Sequence, residues 1–141
     1  VYKRQEQGQE DDGEQWGSDK VMRVVRELGA SDVLVIVSRW YGGELLGPVR
    51  FDHITHCARA ALQQHLENER LAEFREQLQQ LDARIQKARE ALGSASSGPA
   101  QTYADLSMDR AKRLLLARSK ALDALERRAA EQSGSPASPQ H

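Results

Sequence analysis

The sequence holds a single cysteine, Cys57, in 141 residues, which excludes an internal disulfide and a multi-cysteine zinc site. Aromatics are scarce at 5%. Only 39% of residues are hydrophobic against 29% charged, too little apolar material for the whole chain to share one compact core. No apolar run approaches the roughly 20 residues that a membrane-spanning helix needs, and no secretory leader is visible. An excess of one charge is lacking too. The net charge of −1 argues against a protein that coats nucleic acid, while leaving room for a local basic site. Together these absences point to an intracellular, reducing, cytoplasmic setting. The chain opens at Val1-Tyr2 without an initiator methionine, as expected of a piece whose upstream half lies elsewhere.

What is present divides into segments of different character. Val1 to Gly17 is polar and turn-rich, with an acidic cluster at Asp11-Asp12-Gly13-Glu14. A helix fits Asp19 to Leu28, because Val21, Val24, Val25 and Leu28 fall at i, i+3, i+4 and i+7. Ser18 is the expected N-terminal cap and Gly29 the left-handed C-terminal cap. Val33-Leu34-Val35-Ile36-Val37 shows no alternation and reads as a strand buried on both faces. Its pairing strands are expected from upstream chain or from residues 1–10. A glycine turn follows at Gly42-Gly43, and Pro48 suits the first turn of the next helix. That helix carries the stripe Phe51, Ile54, Ala58, Ala61, Leu62 and Leu66. Helix, strand, loop and helix in this order predict part of a layered α+β domain over residues 1–66.

From Leu71 the pattern changes. Leu71, Phe74, Leu78, Leu81, Ile85, Ala88 and Leu92 are spaced 3, 4, 3, 4, 3, 4, a heptad seam among Glu, Gln, Arg and Lys. A breaker-rich linker, Gly93 to Thr102, precedes a second helix expected from about Asp105 to Glu131 with a Leu115, Leu122, Leu125, Ala129 stripe. Residues 67–132 therefore read as a charged antiparallel helical hairpin, coiled-coil-like and open to self-association, and residues 133–141 as a disordered end.

Three groups of residues carry chemistry worth weighing. Asp11, Asp12 and Glu14 around Gly13 place three carboxylates on one turn, a pattern suited to Mg²⁺ or Ca²⁺, but the spacing fits no calcium loop, and turn capping with an arginine pair is the favoured reading. Arg39-Trp40-Tyr41-Gly42-Gly43 stands at the end of the expected strand. The free amides of the helix after Gly47-Pro48, with Arg39 and Arg50, would suit a phosphate ligand or RNA; the competing reading is a structural glycine turn under packed aromatics. His53, His56 and Cys57 lie at i, i+3 and i+4, and packing there is favoured over zinc, with Cys57 behaving as a small hydrophobe. No nucleophile elbow, separated Cys/His pair or HExxH helix is present, so no catalytic residue and no cofactor is expected, and the chain reads as a non-enzyme.

Asp11-Asp12-Gly13-Glu14, Ser38-Arg39-Trp40-Tyr41-Gly42-Gly43, Leu46-Gly47-Pro48, Arg50-Phe51, His53-Ile54 and Cys57-Ala58-Arg59, in this order and spacing, resemble the C-terminal half of the IMPACT domain of the eukaryotic type, over about residues 10–66. The resemblance implies an α+β fold with a ribosomal-protein-like β-α-β arrangement. It also implies a regulator of translation in the amino-acid-starvation stress response, which competes for the ribosome-associated coactivator of the kinase that phosphorylates initiation factor two. Actin is a further implied partner. The family has no established catalytic residues, so Arg39, Trp40, Tyr41, Gly42 and Gly43 carry over as signature positions. Departures are the lack here of the family's upstream RWD domain and first half-domain, and Gln15-Trp16-Gly17-Ser18, where the family favours small residues and an extra glycine.

Overall fold

The computed structural model describes residues 6–94 and 101–133. Three helices follow one another: α1 (Gly17–Glu27), α2 (Val49–Ala91) and α3 (Met108–Ser133). The chain divides into two compact units, Val1–Asn68 and Glu69–His141, and α2 contributes to both.

In the first unit, α1 buries Val24 completely, and α2 buries Ile54, Ala58 and Leu62. These positions belong to the two apolar stripes that the 3.6-residue period singles out. Arg59 of α2 donates to Glu27 of α1 at 2.5 Å. The start of α1 differs from expectation. Ser18 lies inside the helix, and the cap position is Trp16, left-handed at φ 73 and without a side-chain cap bond of its own. The end of α1 is as the glycine suggests. Gly29 adopts φ 63, its N–H donates to the Arg26 carbonyl, and the Ala30 N–H donates to the Val25 carbonyl, a Schellman closure. Residues 6–10 have no regular structure but are tied to α1 through Gln9–Asp19 (2.7 Å) and Gln7–Arg26 (3.4 Å).

The α+β expectation is overturned: all regular structure among the described residues is helical, with no strand and no β-α-β layer. Val33–Val37 alternates between half-buried and exposed positions, as an extended segment does, yet pairs with nothing described. Val33, Val35 and Val37 are half-buried, while Leu34 is 86% and Ile36 76% exposed. An extended aliphatic segment becomes a strand only when another backbone completes its ladder, and residues 6–10 do not supply one. Pairing strands are expected mainly from upstream chain, or from residues 1–10, of which residues 1–5 lie outside the described residues.

The second unit is a pair of helices, but not the antiparallel hairpin that the heptad seam suggests. Leu78, Tyr103, Leu106 and Ala111 form its core, with Leu71, Phe74, Leu114 and Leu115 packed against it. Higher up, Asp82 meets Arg118 at 2.8 Å, Arg84 meets Glu126 at 2.9 Å, and Arg89 and Leu92 share a cleft with Leu125 and Arg128. Contact positions rise together on both helices, so α3 runs parallel to the second half of α2. The connection must return along α2 first, and Arg75 Nε marks that return by donating to the Tyr103 carbonyl at 3.0 Å. Gly93 (φ 73) closes α2 with a second Schellman motif, in which its N–H reaches the Glu90 carbonyl and the Ser94 N–H reaches that of Arg89. Ser107 caps α3, its hydroxyl accepting from the Arg110 N–H at 3.4 Å. The expected disordered end, 133–141, lies outside the described residues except for Ser133, the last residue of α3; of the expected linker, residues 95–100 also lie outside.

Candidate functional site

The acidic turn and the glycine corner meet through one carboxylate. Asp12 (φ 47) and Gly13 (φ 84) reverse the chain in the left-handed region, which Asp tolerates better than most residues and Gly adopts freely. Asp11 then points at the start of α1. Its Oδ1 accepts from the Ser18 N–H at 2.9 Å and its Oδ2 from the Trp16 N–H at 3.2 Å. Two otherwise orphaned amides are satisfied by a side chain seven and five residues upstream, and a carboxylate at the positive end of the helix dipole is favoured there. The bonds from Ser18, outweighing partial desolvation, hold the Asp11 carboxyl below its usual range.

Glu14, the last residue of the turn, accepts from Arg39 Nε at 2.7 Å on one oxygen and from Arg50 Nε at 2.9 Å on the other. Arg39 comes from the end of the extended segment and Arg50 from the first turn of α2. One carboxylate thus fastens three parts of the first unit. The hydrogen bond from Arg39 is the main cause that lowers the Glu14 carboxyl, with Arg50 adding to it against desolvation. Arg50 is further fixed by its Nη1 donating to the Gly47 carbonyl at 2.8 Å and by stacking 4.4 Å from the centre of the Phe51 ring. Lys20 Nζ lies 5.8 Å from the same ring.

The glycines serve conformation rather than close approach. Gly43 (φ 93) and Gly47 (φ 61) occupy backbone space that side chains disfavour, yet a Cβ built on either, or on Gly42, meets nothing within 4 Å. The corner is an open loop carrying large apolar side chains into solvent: Trp40 is 84% exposed, Tyr41 64% and Leu45 90%. The aromatics do not pack over α2 as a purely structural turn would have them do.

The remaining candidates fall outside this cluster. Asp12 is exposed on the turn, Pro48 directly precedes α2, and His53 faces solvent one turn into it. His56 is exposed as well, and so is Cys57, which is therefore not the small buried hydrophobe expected. Among the described residues no three His, Cys, Asp or Glu side chains are grouped to hold a metal ion. The same residues include no helix long and apolar enough to cross a membrane. Because Arg39 and Arg50 both direct their Nε groups at Glu14, an incoming phosphate would have to displace a carboxylate already in place.

A second polar cluster, unremarked in the sequence, lies in the second unit. The Tyr103 hydroxyl donates to Asp82 Oδ2, and Arg118 Nη2 donates to Gln101 Oε1 at 2.9 Å. The buried Arg118 Nε lies 2.8 Å from Asp82 Oδ1 but off the hydrogen-bond line, so that contact is an ion pair without a directed bond. Burial, followed by the Asp82 bond, raises the Tyr103 hydroxyl above its ordinary value. The one sequence signal for this cluster was Asp82 beside the heptad seam; its partners lie 21 and 36 residues away.

Residues 1–62 match the Impact N-terminal domain family. Protein IMPACT of Xenopus laevis is 54% identical over 56 residues, covering 40% of this chain and 18% of that protein. Protein IMPACT of Bos taurus is 53% identical over 53 residues, covering 38% and 17%, and that of Danio rerio has the same identity and coverage. The matched stretch thus spans less than a fifth of the length of these relatives. No solved structure matches the chain. The domain match and the identities place residues 1–62 in the IMPACT family, by its N-terminal domain.

Proposed function

We propose that the chain is a non-enzymatic regulator of translation in the amino-acid-starvation response, acting by binding the ribosome-associated coactivator of the initiation-factor-two kinase. Family membership supports the regulatory part of this reading. The observation that carries the binding part is the exposed apolar loop on a braced base. Trp40, Tyr41 and Leu45 project into solvent from a backbone held at both ends by Arg39 and Arg50 on Glu14. Large aromatics presented by a fixed loop are the residue types that dominate protein–protein contacts, and a loop held in place loses little entropy on docking. The guanidiniums beside it already share the Glu14 carboxylate, which favours a protein partner over a phosphate-rich one.

The test is capture of the coactivator from solution by the tagged chain, together with the phosphorylation level of initiation factor two in starved cells that overexpress it. Binding and reduced phosphorylation are expected for the parent chain, with both lost in Trp40→Ala. Trp40 is so exposed that its replacement leaves folding intact. Absence of capture together with unchanged phosphorylation would overturn the proposal.

A further inference from the structure

The second unit packs through helix seams that carry no sense of direction. On α3, Ala111, Leu115, Arg118, Leu122, Leu125 and Ala129 are all buried or half-buried and are spaced 4, 3, 4, 3, 4, the counterpart of the Leu71 to Leu92 seam on α2. Arg118 is the single charged residue among them, and its ion pair with Asp82 is no guide to direction either. Asp82 stands nine residues before the end of α2 at Ala91, and Arg118 ten residues after the start of α3 at Met108. In a hairpin folded at the connection these two positions would again lie side by side, because both helices rise about 1.5 Å per residue. The seams and their one ion pair are served equally by α3 lying parallel or antiparallel to α2.

The contacts that do distinguish the two directions come from residues 101–107, the strap that leads into α3. Its Tyr103 and Leu106 are buried in the cluster around Leu78. The Tyr103 hydroxyl donates to Asp82 Oδ2 while Arg118 faces Oδ1, and Arg118 Nη2 reaches Gln101 of the strap at 2.9 Å. Arg75 holds the strap by its backbone: Nε donates to the Tyr103 carbonyl at 3.0 Å and Nη2 to the Ala104 carbonyl at 3.4 Å. Arg75 and Asp82 are two helical turns apart on α2, so the strap is pinned at two points. In a hairpin, Tyr103 would be left beyond the end of α2, about 14 Å along the axis from Asp82, and these bonds could not form.

We propose that residues 101–107 are the latch of a two-state element: with Tyr103 and Arg75 engaged α3 lies parallel to α2, and with them released α3 turns over into an antiparallel hairpin on the same seam. Two packings of one sequence that share their helix seams need only a few directional bonds to choose between them. The latch lies wholly in the second unit, outside the stretch matched to the family, and is independent of the regulatory reading above.

Distances between paired spin labels on the full chain, in a Cys57→Ser background and diluted with unlabelled chain, read the direction of α3. Labels at Arg84→Cys and Glu126→Cys, exposed positions whose native side chains meet at 2.9 Å, should give one short distance in the otherwise unaltered chain. Tyr103→Phe/Arg75→Met removes three strap bonds while keeping the ring and an unbranched side chain. At roughly five-fold per bond, the ratio of the two packings should shift about 100-fold toward the hairpin. A second population should then appear with the 84–126 separation longer by about 15 Å. Labels at Glu73→Cys and Glu126→Cys should move the opposite way, from long to short, because turning α3 over brings position 126 beside position 73. Tyr103→Phe alone, the milder change, should shift the ratio about five-fold in the same direction, with far-ultraviolet helicity unchanged. A double variant that keeps only the short 84–126 distance would overturn the proposal. So would one in which both separations lengthen, which is fraying or unfolding rather than reversal.

Discussion

Replacing Glu14 by Gln removes one negative charge while keeping side-chain size, and its cost follows from the geometry. The carboxylate is 22% exposed and its two partners, Arg39 and Arg50, are 35% and 34% exposed, so both pairs are partly shielded from water. Pairs of this kind sit at the upper end of the surface range, about 1 kcal/mol each, and an amide retains only one acceptor, so the loss should be about 1–2 kcal/mol. Both tryptophans, Trp16 and Trp40, lie in the first unit, so urea unfolding followed by their fluorescence reports on that unit alone. With a typical urea dependence the midpoint should fall by about 1 M at pH 7. The pH dependence provides a sharper test. The folded-state carboxyl is lowered from 4.5, first by the Arg39 bond, so its contribution is complete above pH 4.5 and is lost as pH falls through the lowered folded value. The gap between parent and Gln variant should therefore be full at neutral pH and close in acid. Equal midpoints at pH 7, or a gap undiminished in acid, would refute the role given to Glu14.

Leu78→Ala empties the fully buried centre of the second unit and should cost about 3–5 kcal/mol, read as early loss of helical dichroism on heating while tryptophan fluorescence is little changed. Gly29→Ala forces a side chain into φ 63 at the Schellman closure and should destabilise the first unit by about 1 kcal/mol in the fluorescence assay, although nothing obstructs the added methyl. Tyr103→Phe leaves the ring in place but removes the bond to Asp82, at an expected cost of about 1 kcal/mol by thermal denaturation. In the parent, ultraviolet titration should find the Tyr103 hydroxyl ionising above the ordinary tyrosine value of 10.0, a feature absent from the Phe variant.

The sequence alone determined what depends on local periodicity and backbone permission. The Val21 to Leu28 stripe gives α1, Gly29 ends it, and the seam from Leu71 to Leu92 identifies the face of α2 that packs in the second unit. The motif residues from Asp11 to Arg59 identify the family. The tertiary structure decided the matters that need a second segment. Asp11, not Ser18, caps α1, because the left-handed Trp16 puts Ser18 inside the helix and leaves its amide facing an upstream carboxylate. Glu14 joins arginines 25 and 36 residues away, a pairing that no local pattern encodes. A heptad seam reads the same whether its partner runs up or down, so only the return of the chain past Arg75 and Tyr103 makes α3 parallel to α2. Val33–Val37 has the composition of a strand, but sheet formation is a property of two backbones, and among the described residues this one has no partner.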